Sequence, residues 1–70
     1  MITSEQKYDI ASNVKQAGMS MQTSLNLMNE AIMKLATTDG EEVSKLLEQT
    51  IEALGRAIST LRYAQELANE

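Results

Sequence analysis

The sequence predicts an all-α fold, an antiparallel two-helix hairpin. Two long segments carry apolar residues at alternating spacings of three and four, which is the heptad pattern of packed helices and not the alternation of a strand. An Asp-Gly pair at residues 39–40 separates the segments and is a turn signal. The chain contains no Pro, so neither helix is interrupted. A short connection folds the second helix back along the first, and the hairpin then completes a bundle with a partner or with a second copy.

The first helix is predicted over residues 4–36. Thr3 as N-cap and Gln6 three residues later form a capping box, in which each side chain satisfies a free backbone N–H. Gly18 predicts a close backbone approach at a helix crossing, with a kink or a frayed first third as the alternative. The predicted packing seam of this helix consists of Ala11, Val14, Gly18, Met21, Leu25, Met28, Ile32 and Leu35.

The second helix is predicted over residues 41–68, after a turn at residues 37–40. Thr38 with Glu41, or Asp39 with Glu42, would form a second capping arrangement. The predicted packing seam consists of Val43, Leu47, Thr50, Leu54, Ala57, Leu61, Ala64 and Ala68, flanked by Leu46, Ala53 and Leu67 on one side and by Ile51 and Ile58 on the other. One neighbouring helix cannot cover so wide a face, so we expect a further chain to cover part of it.

The middle of the first helix carries no charged residue between Lys15 and Glu30. Met19, Leu27 and Met33 lie there or close by, away from the predicted seam. Two interpretations stay open: scattered exposed apolar residues, which are normal, or a second face covered by a partner, for which flexible Met is well suited. On the second interpretation the predicted protein interface includes Met19 and Leu27 on this helix, together with Leu47, Ile51, Ile58 and Tyr63 on the second helix.

Composition disfavours catalysis. The chain has 70 residues and neither Cys nor His, which excludes disulfides, thiolate metal sites and His-activated nucleophiles. A two-helix hairpin also offers no pocket where catalytic groups converge. We therefore expect no enzymatic activity, no cofactor, no metal and no small-molecule substrate. A single core below about 80 residues rarely supplies more than ~3–5 kcal/mol, which favours stabilisation by a protein partner.

Charge and hydropathy bear on location and on other partners. The net charge of −4 argues against binding to nucleic acid or to an anionic membrane. No apolar run is long enough to span a bilayer. The first residues, Met-Ile-Thr-Ser-Glu-Gln-Lys, do not have the pattern of a cleavable signal. We expect a cytoplasmic protein, and the lack of Cys is consistent with that compartment.

Residues 53–63, Ala-Leu-Gly-Arg-Ala-Ile-Ser-Thr-Leu-Arg-Tyr, resemble the second helix of the small type III secretion needle co-chaperones, the YscE-like family. The resemblance implies a cytoplasmic co-chaperone that stabilises a tetratricopeptide-type chaperone holding the needle subunit. It also places Leu54, Ala57, Ile58, Leu61 and Tyr63 on a packing or partner-binding surface. A homodimeric four-helix bundle with a structural or regulatory role, and a small inhibitor of another protein, are the alternatives.

Overall fold

A computed structural model describes residues 1–37 and 40–70, and it consists of two α-helices packed along their lengths. Helix α1 spans Ser4–Lys34 and helix α2 spans Gly40–Ala68. The Cα trace measures 53 × 13 × 10 Å, which is a rod two helices wide and one helix thick. The described residues contain no strand. The prediction of an all-α helical hairpin is confirmed.

The start of α1 is fixed by a capping box. The hydroxyl oxygen of Thr3 accepts from the backbone N–H of Gln6 at 3.1 Å, and Oε1 of Gln6 accepts from the backbone N–H of Thr3 at 2.8 Å. Both bonds satisfy N–H groups that the first helical turn leaves without intrahelical partners. This prediction is confirmed, whereas the second predicted capping arrangement depends on Thr38 or Asp39 and lies outside the described residues.

The line of α2 that packs against α1 differs from the predicted seam. We call this line the α2 inner line, and it consists of the buried or half-buried residues Val43, Leu46, Thr50, Ala53, Ala57, Thr60, Ala64 and Leu67. Four of these residues belong to the predicted seam. The other seam positions, Leu47, Leu54, Leu61 and Ala68, lie on the flank of the contact. The small side chains of Ala53 and Thr60 take the places of Leu54 and Leu61 in the middle of the contact, which allows a closer approach of the helices.

The inner line of α1 is also shifted from its predicted position, by one residue. This α1 inner line consists of Gln6, Ile10, Asn13, Ala17, Ser20, Ser24, Leu27, Ala31 and Lys34, all buried or half-buried. The seam predicted for α1 was wrong: Val14, Met21, Leu25 and Ile32 are exposed. Gly18 is exposed as well, and a Cβ added there would meet nothing within 4 Å. The close approach predicted at Gly18 therefore does not occur within the hairpin.

Small and hydroxyl-bearing side chains fill the contact between the helices. Ser24 is 0% exposed and Thr50 is 5% exposed. The Ser24 hydroxyl donates to the Ser20 carbonyl at 3.0 Å, and the Thr50 hydroxyl donates to the Leu46 carbonyl at 2.8 Å. Each hydroxyl is thus satisfied by its own helix, which avoids the cost of an unpaired buried polar group. The helices approach closely, but the contact buries few large apolar side chains.

Polar contacts at both ends of the rod define the register of the helices. Nε2 of Gln6 donates to Oε2 of Glu70 at 2.9 Å, and Nζ of Lys34 lies 3.3 Å from Oε1 of Glu42. The residue numbers of each pair add up to 76. A residue of α1 and a residue of α2 therefore lie at the same height along the rod when their numbers add up to 76, to within about one residue.

Candidate protein-binding face

Many of the large apolar side chains lie outside the contact between the helices. On α2, Ile51 is 68% exposed and Ile58 is 51% exposed. They belong to a line with spacings of four and three, which we call the α2 stripe: Leu47, Ile51, Leu54, Ile58 and Leu61. A corresponding α1 stripe consists of Val14, Met21, Leu25, Met28 and Ile32. Leu54 and Met28 are half-buried, and the other eight side chains are exposed.

Both stripes lie on the same side of the hairpin. Every stripe residue directly follows a residue of an inner line, and one residue advances the direction of a side chain by about 100° around a helix. Viewed from one end, α1 runs away from the observer and α2 runs toward the observer. The two rotations therefore have opposite senses, and both turn the side chains from the contact toward the same surface. We call the combined surface the apolar face.

The apolar face is large for a chain of this size. At 1.5 Å per residue, the α1 stripe is about 27 Å long and the α2 stripe is about 21 Å long. Helices packed about 8–10 Å apart make the face roughly 20 Å wide. The flat area is then about 500 Å², within the range of the largest patch on a typical monomer, which is often functional. A surface of this size and composition is typical of a protein contact.

The opposite side of the hairpin, which we call the polar side, carries mainly charged and amide residues. They precede the inner lines by one residue: Asp9, Gln16, Thr23, Glu30, Lys45, Gln49, Glu52, Arg56 and Ser59. An open depression on this side is lined by Gln16, Ser20, Gly55, Arg56, Ser59 and Thr60. Arg56 is its one charged group, and its hydroxyls have no neighbouring general base among the lining residues. This depression therefore lacks the convergent groups that catalysis requires.

The structure separates the predicted interface residues into three sets. Ile51, Ile58 and the three stripe leucines lie together on the apolar face. Ala57 is 2% exposed, so its prediction as an interface residue was wrong: it packs inside the hairpin, where no partner can reach it. Leu27 is half-buried on the α1 inner line. Met19 and Tyr63 are exposed on the polar side, away from the other candidates.

Sequence reasoning did not identify the α1 stripe as surface. Val14, Met21, Leu25 and Ile32 were placed on the packing seam because apolar residues recur there at alternating spacings of three and four. The signal that could have found them is the line one residue earlier, where Ala17, Ser24 and Ala31 recur at heptad spacing. Small residues at such a spacing favour close helix packing and leave the larger line for another contact.

A metal site and a membrane span are both absent from the described residues. These residues contain no group of three or more Asp or Glu side chains placed to hold a metal ion. Neither of the described helices has the length and apolar character needed to cross a membrane.

Comparisons of the chain with protein-family models, with curated proteins and with solved structures find no match. The resemblance of residues 53–63 to the needle co-chaperones therefore stays a prediction. The apolar face is the observation on which a functional proposal can be based.

Proposed function

We propose that this chain is a non-enzymatic protein-binding module whose apolar face docks against helices of a larger protein. The observation that supports the proposal is the position of large apolar residues: both stripes lie on one face, whereas the middle of the hairpin contact is filled mainly by small residues. Burial of apolar surface stabilises by about 25 cal/mol per Å². Covering this face would therefore add apolar burial that the contact between the two helices does not provide.

The α2 stripe has the geometry of a helix that binds in a groove. Ile51, Leu54 and Ile58 are spaced by three and four residues, and anchors at such spacings project from one side of a helix into an apolar groove. The methionines of α1 border this line and can adapt to an irregular surface, because the Met side chain is unbranched and polarisable. The preferred partner is thus a helical protein with an exposed apolar groove.

In its most specific form, the proposal is a cytoplasmic co-chaperone for a tetratricopeptide-type chaperone that holds the needle subunit of a type III secretion system. Its support is the resemblance of residues 53–63, of which Leu54, Ile58 and Leu61 lie on the apolar face. Tetratricopeptide repeats stack helix pairs into a superhelix with extended binding surfaces. A hairpin docked there would stabilise the folded chaperone, since a ligand that binds only the folded state shifts the folding equilibrium.

The experiment compares two aspartates that are adjacent in the sequence but lie on opposite sides of the hairpin. Ile58→Asp places a charge on the apolar face, whereas Ser59→Asp places the same charge on the polar side. Binding to a purified needle chaperone is measured by isothermal titration calorimetry, with circular dichroism as the control for helix content. Burying an unpaired charge is costly, so we expect Ile58→Asp to raise the Kd by about 100-fold or more.

Ser59→Asp should leave the Kd within about threefold of the wild type, because an exposed charge on a solvated side costs little. If the wild type does not bind, the co-chaperone assignment is wrong. If the wild type binds and the two variants weaken binding equally, the apolar face is not the docking surface.

A further inference from the structure

We propose that, in the absence of another partner, the apolar face is covered by a second copy of this chain. The two hairpins would form a four-helix bundle whose two-fold axis passes α2 at Leu54 and α1 at Met21. In this arrangement each helix packs antiparallel against its own copy. The dimer uses the same face as the proposed function but requires no other protein, so the two proposals can fail separately.

The α2 stripe is complementary to its own reversed copy. When α2 lies antiparallel to a second α2 about an axis at Leu54, Leu47 is opposite Leu61 of the second copy. Ile51 is then opposite Ile58 of the second copy, and Leu54 is opposite itself. The paired residue numbers add up to 108 or 109 in every case. All five stripe residues thus find an apolar counterpart, as a two-fold interface requires.

The charges beside the α2 stripe support the same pairing. Glu48 follows Leu47 and Arg62 follows Leu61, so both lie on the outer rim of the apolar face, where they are exposed. The proposed axis places Glu48 of each copy near Arg62 of the other, which gives two pairs of opposite charge. Gly55, next to Leu54, lies level with the axis on the outer side of α2, between this rim and the depression on the polar side. A Cβ at Gly55 would meet nothing within 4 Å in the hairpin, so packing between α1 and α2 does not require a glycine there.

The same axis gives a complementary arrangement along α1. With Met21 opposite itself, Val14 is opposite Met28 of the second copy, and Gly18 is opposite Leu25 of the second copy. Ala11 is likewise opposite Ile32 of the second copy. Small residues of one chain therefore meet large residues of the other, and the exposed Gly18 makes room for a leucine. Opposing large and small residues allow two helix surfaces to interdigitate.

One axis satisfies both helix pairs because of the register of the hairpin. Residue numbers that are level in α1 and α2 add up to 76, and Met21 and Leu54 agree with this total to within one residue. The α1 pairing and the α2 pairing are independent features of the sequence. Their centres nevertheless lie at the same height of the rod, as a single two-fold axis demands.

The area of the face is sufficient for a dimer. Two faces of about 500 Å² flat area together cover roughly 1,000 Å². Because the accessible surface of side chains exceeds the flat area, the buried accessible surface of the dimer reaches the lower part of the range of about 1,200–2,000 Å² found for stable interfaces. Two-fold dimers are also the commonest closed assemblies. Because a partner and the second copy share one face, binding of the partner requires the dimer to dissociate.

A cross-linking experiment tests the axis. The chain contains no Cys, so a single introduced thiol gives an unambiguous product. Leu54→Cys places the thiol at the axis, within the Cα separation of about 4.4–6.8 Å that a disulfide needs, and Glu52→Cys is the matched control on the polar side. Under mild oxidation of the full chain, we expect disulfide-linked dimer for Leu54→Cys at a rate at least about tenfold above that of Glu52→Cys. Equal rates would overturn the proposed axis.

Charge reversal tests the pairing without altering the apolar residues. Glu48→Arg alone creates two Arg–Arg contacts in its dimer, and Arg62→Glu alone creates two Glu–Glu contacts. Each variant should raise the Kd of its own dimer by about 10- to 100-fold. An equimolar mixture restores opposite charges in the mixed dimer, whose Kd, measured by sedimentation equilibrium, should return to within about threefold of the wild type.

A mixture that associates no more tightly than either variant alone would overturn the pairing of Glu48 with Arg62. A wild-type chain that stays monomeric at high micromolar concentration would overturn the dimer itself. Circular dichroism of each variant is the control that its helix content equals that of the wild type. Binding to the needle chaperone is measured separately, so neither result decides the proposed function.

Discussion

The substitutions Ala53→Leu and Leu54→Ala test which side of α2 packs against α1. Ala53 is 0% exposed, and the helices have no room for three additional carbon atoms at this point of the contact. Overpacking of a tight contact costs about 1–3 kcal/mol. Leu54 is half-buried on the flank, so its truncation removes only part of a side chain's burial, and the higher helix propensity of Ala offsets part of that loss. We expect Leu54→Ala to cost less than about 1 kcal/mol.

Both variants are made in an Ile58→Asp background, in which no second copy covers the apolar face. The free energy of unfolding is obtained from urea titrations followed by circular dichroism, since the denaturation midpoint reports stability when the slope is unchanged. The free energy of unfolding of a hairpin of this size is at most about 3–5 kcal/mol, so Ala53→Leu should lower the denaturation midpoint markedly. If Leu54→Ala costs more than Ala53→Leu, then α1 packs against the line of Leu47, Leu54 and Leu61, and the described contact is wrong.

Two further predictions concern the helices themselves and use the same background and the same urea titration. Thr3→Ala removes the hydroxyl of the capping box and should cost about 1 kcal/mol, whereas Ser4→Ala next to it should have little effect, and equal effects would show that the cap does not stabilise α1. Gly55→Ala should stabilise the hairpin by about 0.8–1 kcal/mol, because Ala favours the helix and the added methyl group meets open space. A loss of stability for Gly55→Ala would mean that a neighbouring chain segment occupies that space.

The sequence was sufficient to predict two helices, their antiparallel arrangement and the capping box at Thr3. These features depend on local signals: apolar periodicity, turn residues and side chains that satisfy terminal N–H groups. The side of each helix that packs inside the hairpin was not predictable from periodicity alone. In α1, the line of Val14 and Met21 and the line of Asn13 and Ser20 have the same spacing and differ only by a rotation of about 100°.

The size of the side chains distinguishes the line that packs inside the hairpin from the line that stays on the surface. The predicted packing seam ran through Val14, Met21, Leu25 and Ile32, whereas the structure buries Ala17, Ser24 and Ala31 against α2. Close approach of the backbones favours small residues on the inner lines, so large apolar side chains such as Leu25 and Ile51 stay exposed. The same difference changes the candidate site. Ala57, which was predicted at the interface, packs inside the hairpin, and Leu25, which was predicted on the packing seam, lies on the apolar face.

The measurement that tests the central claim most directly is analytical ultracentrifugation of the full chain over a dilution series, beside the Ile58→Asp variant. We predict that the wild type sediments as twice the 7.7 kDa of one chain at high concentration and dissociates on dilution. The variant should stay monomeric at every concentration with the helices retained by circular dichroism. A wild type that is monomeric throughout and as helical as the variant would contradict the claim that the apolar face is built to be covered by a second copy.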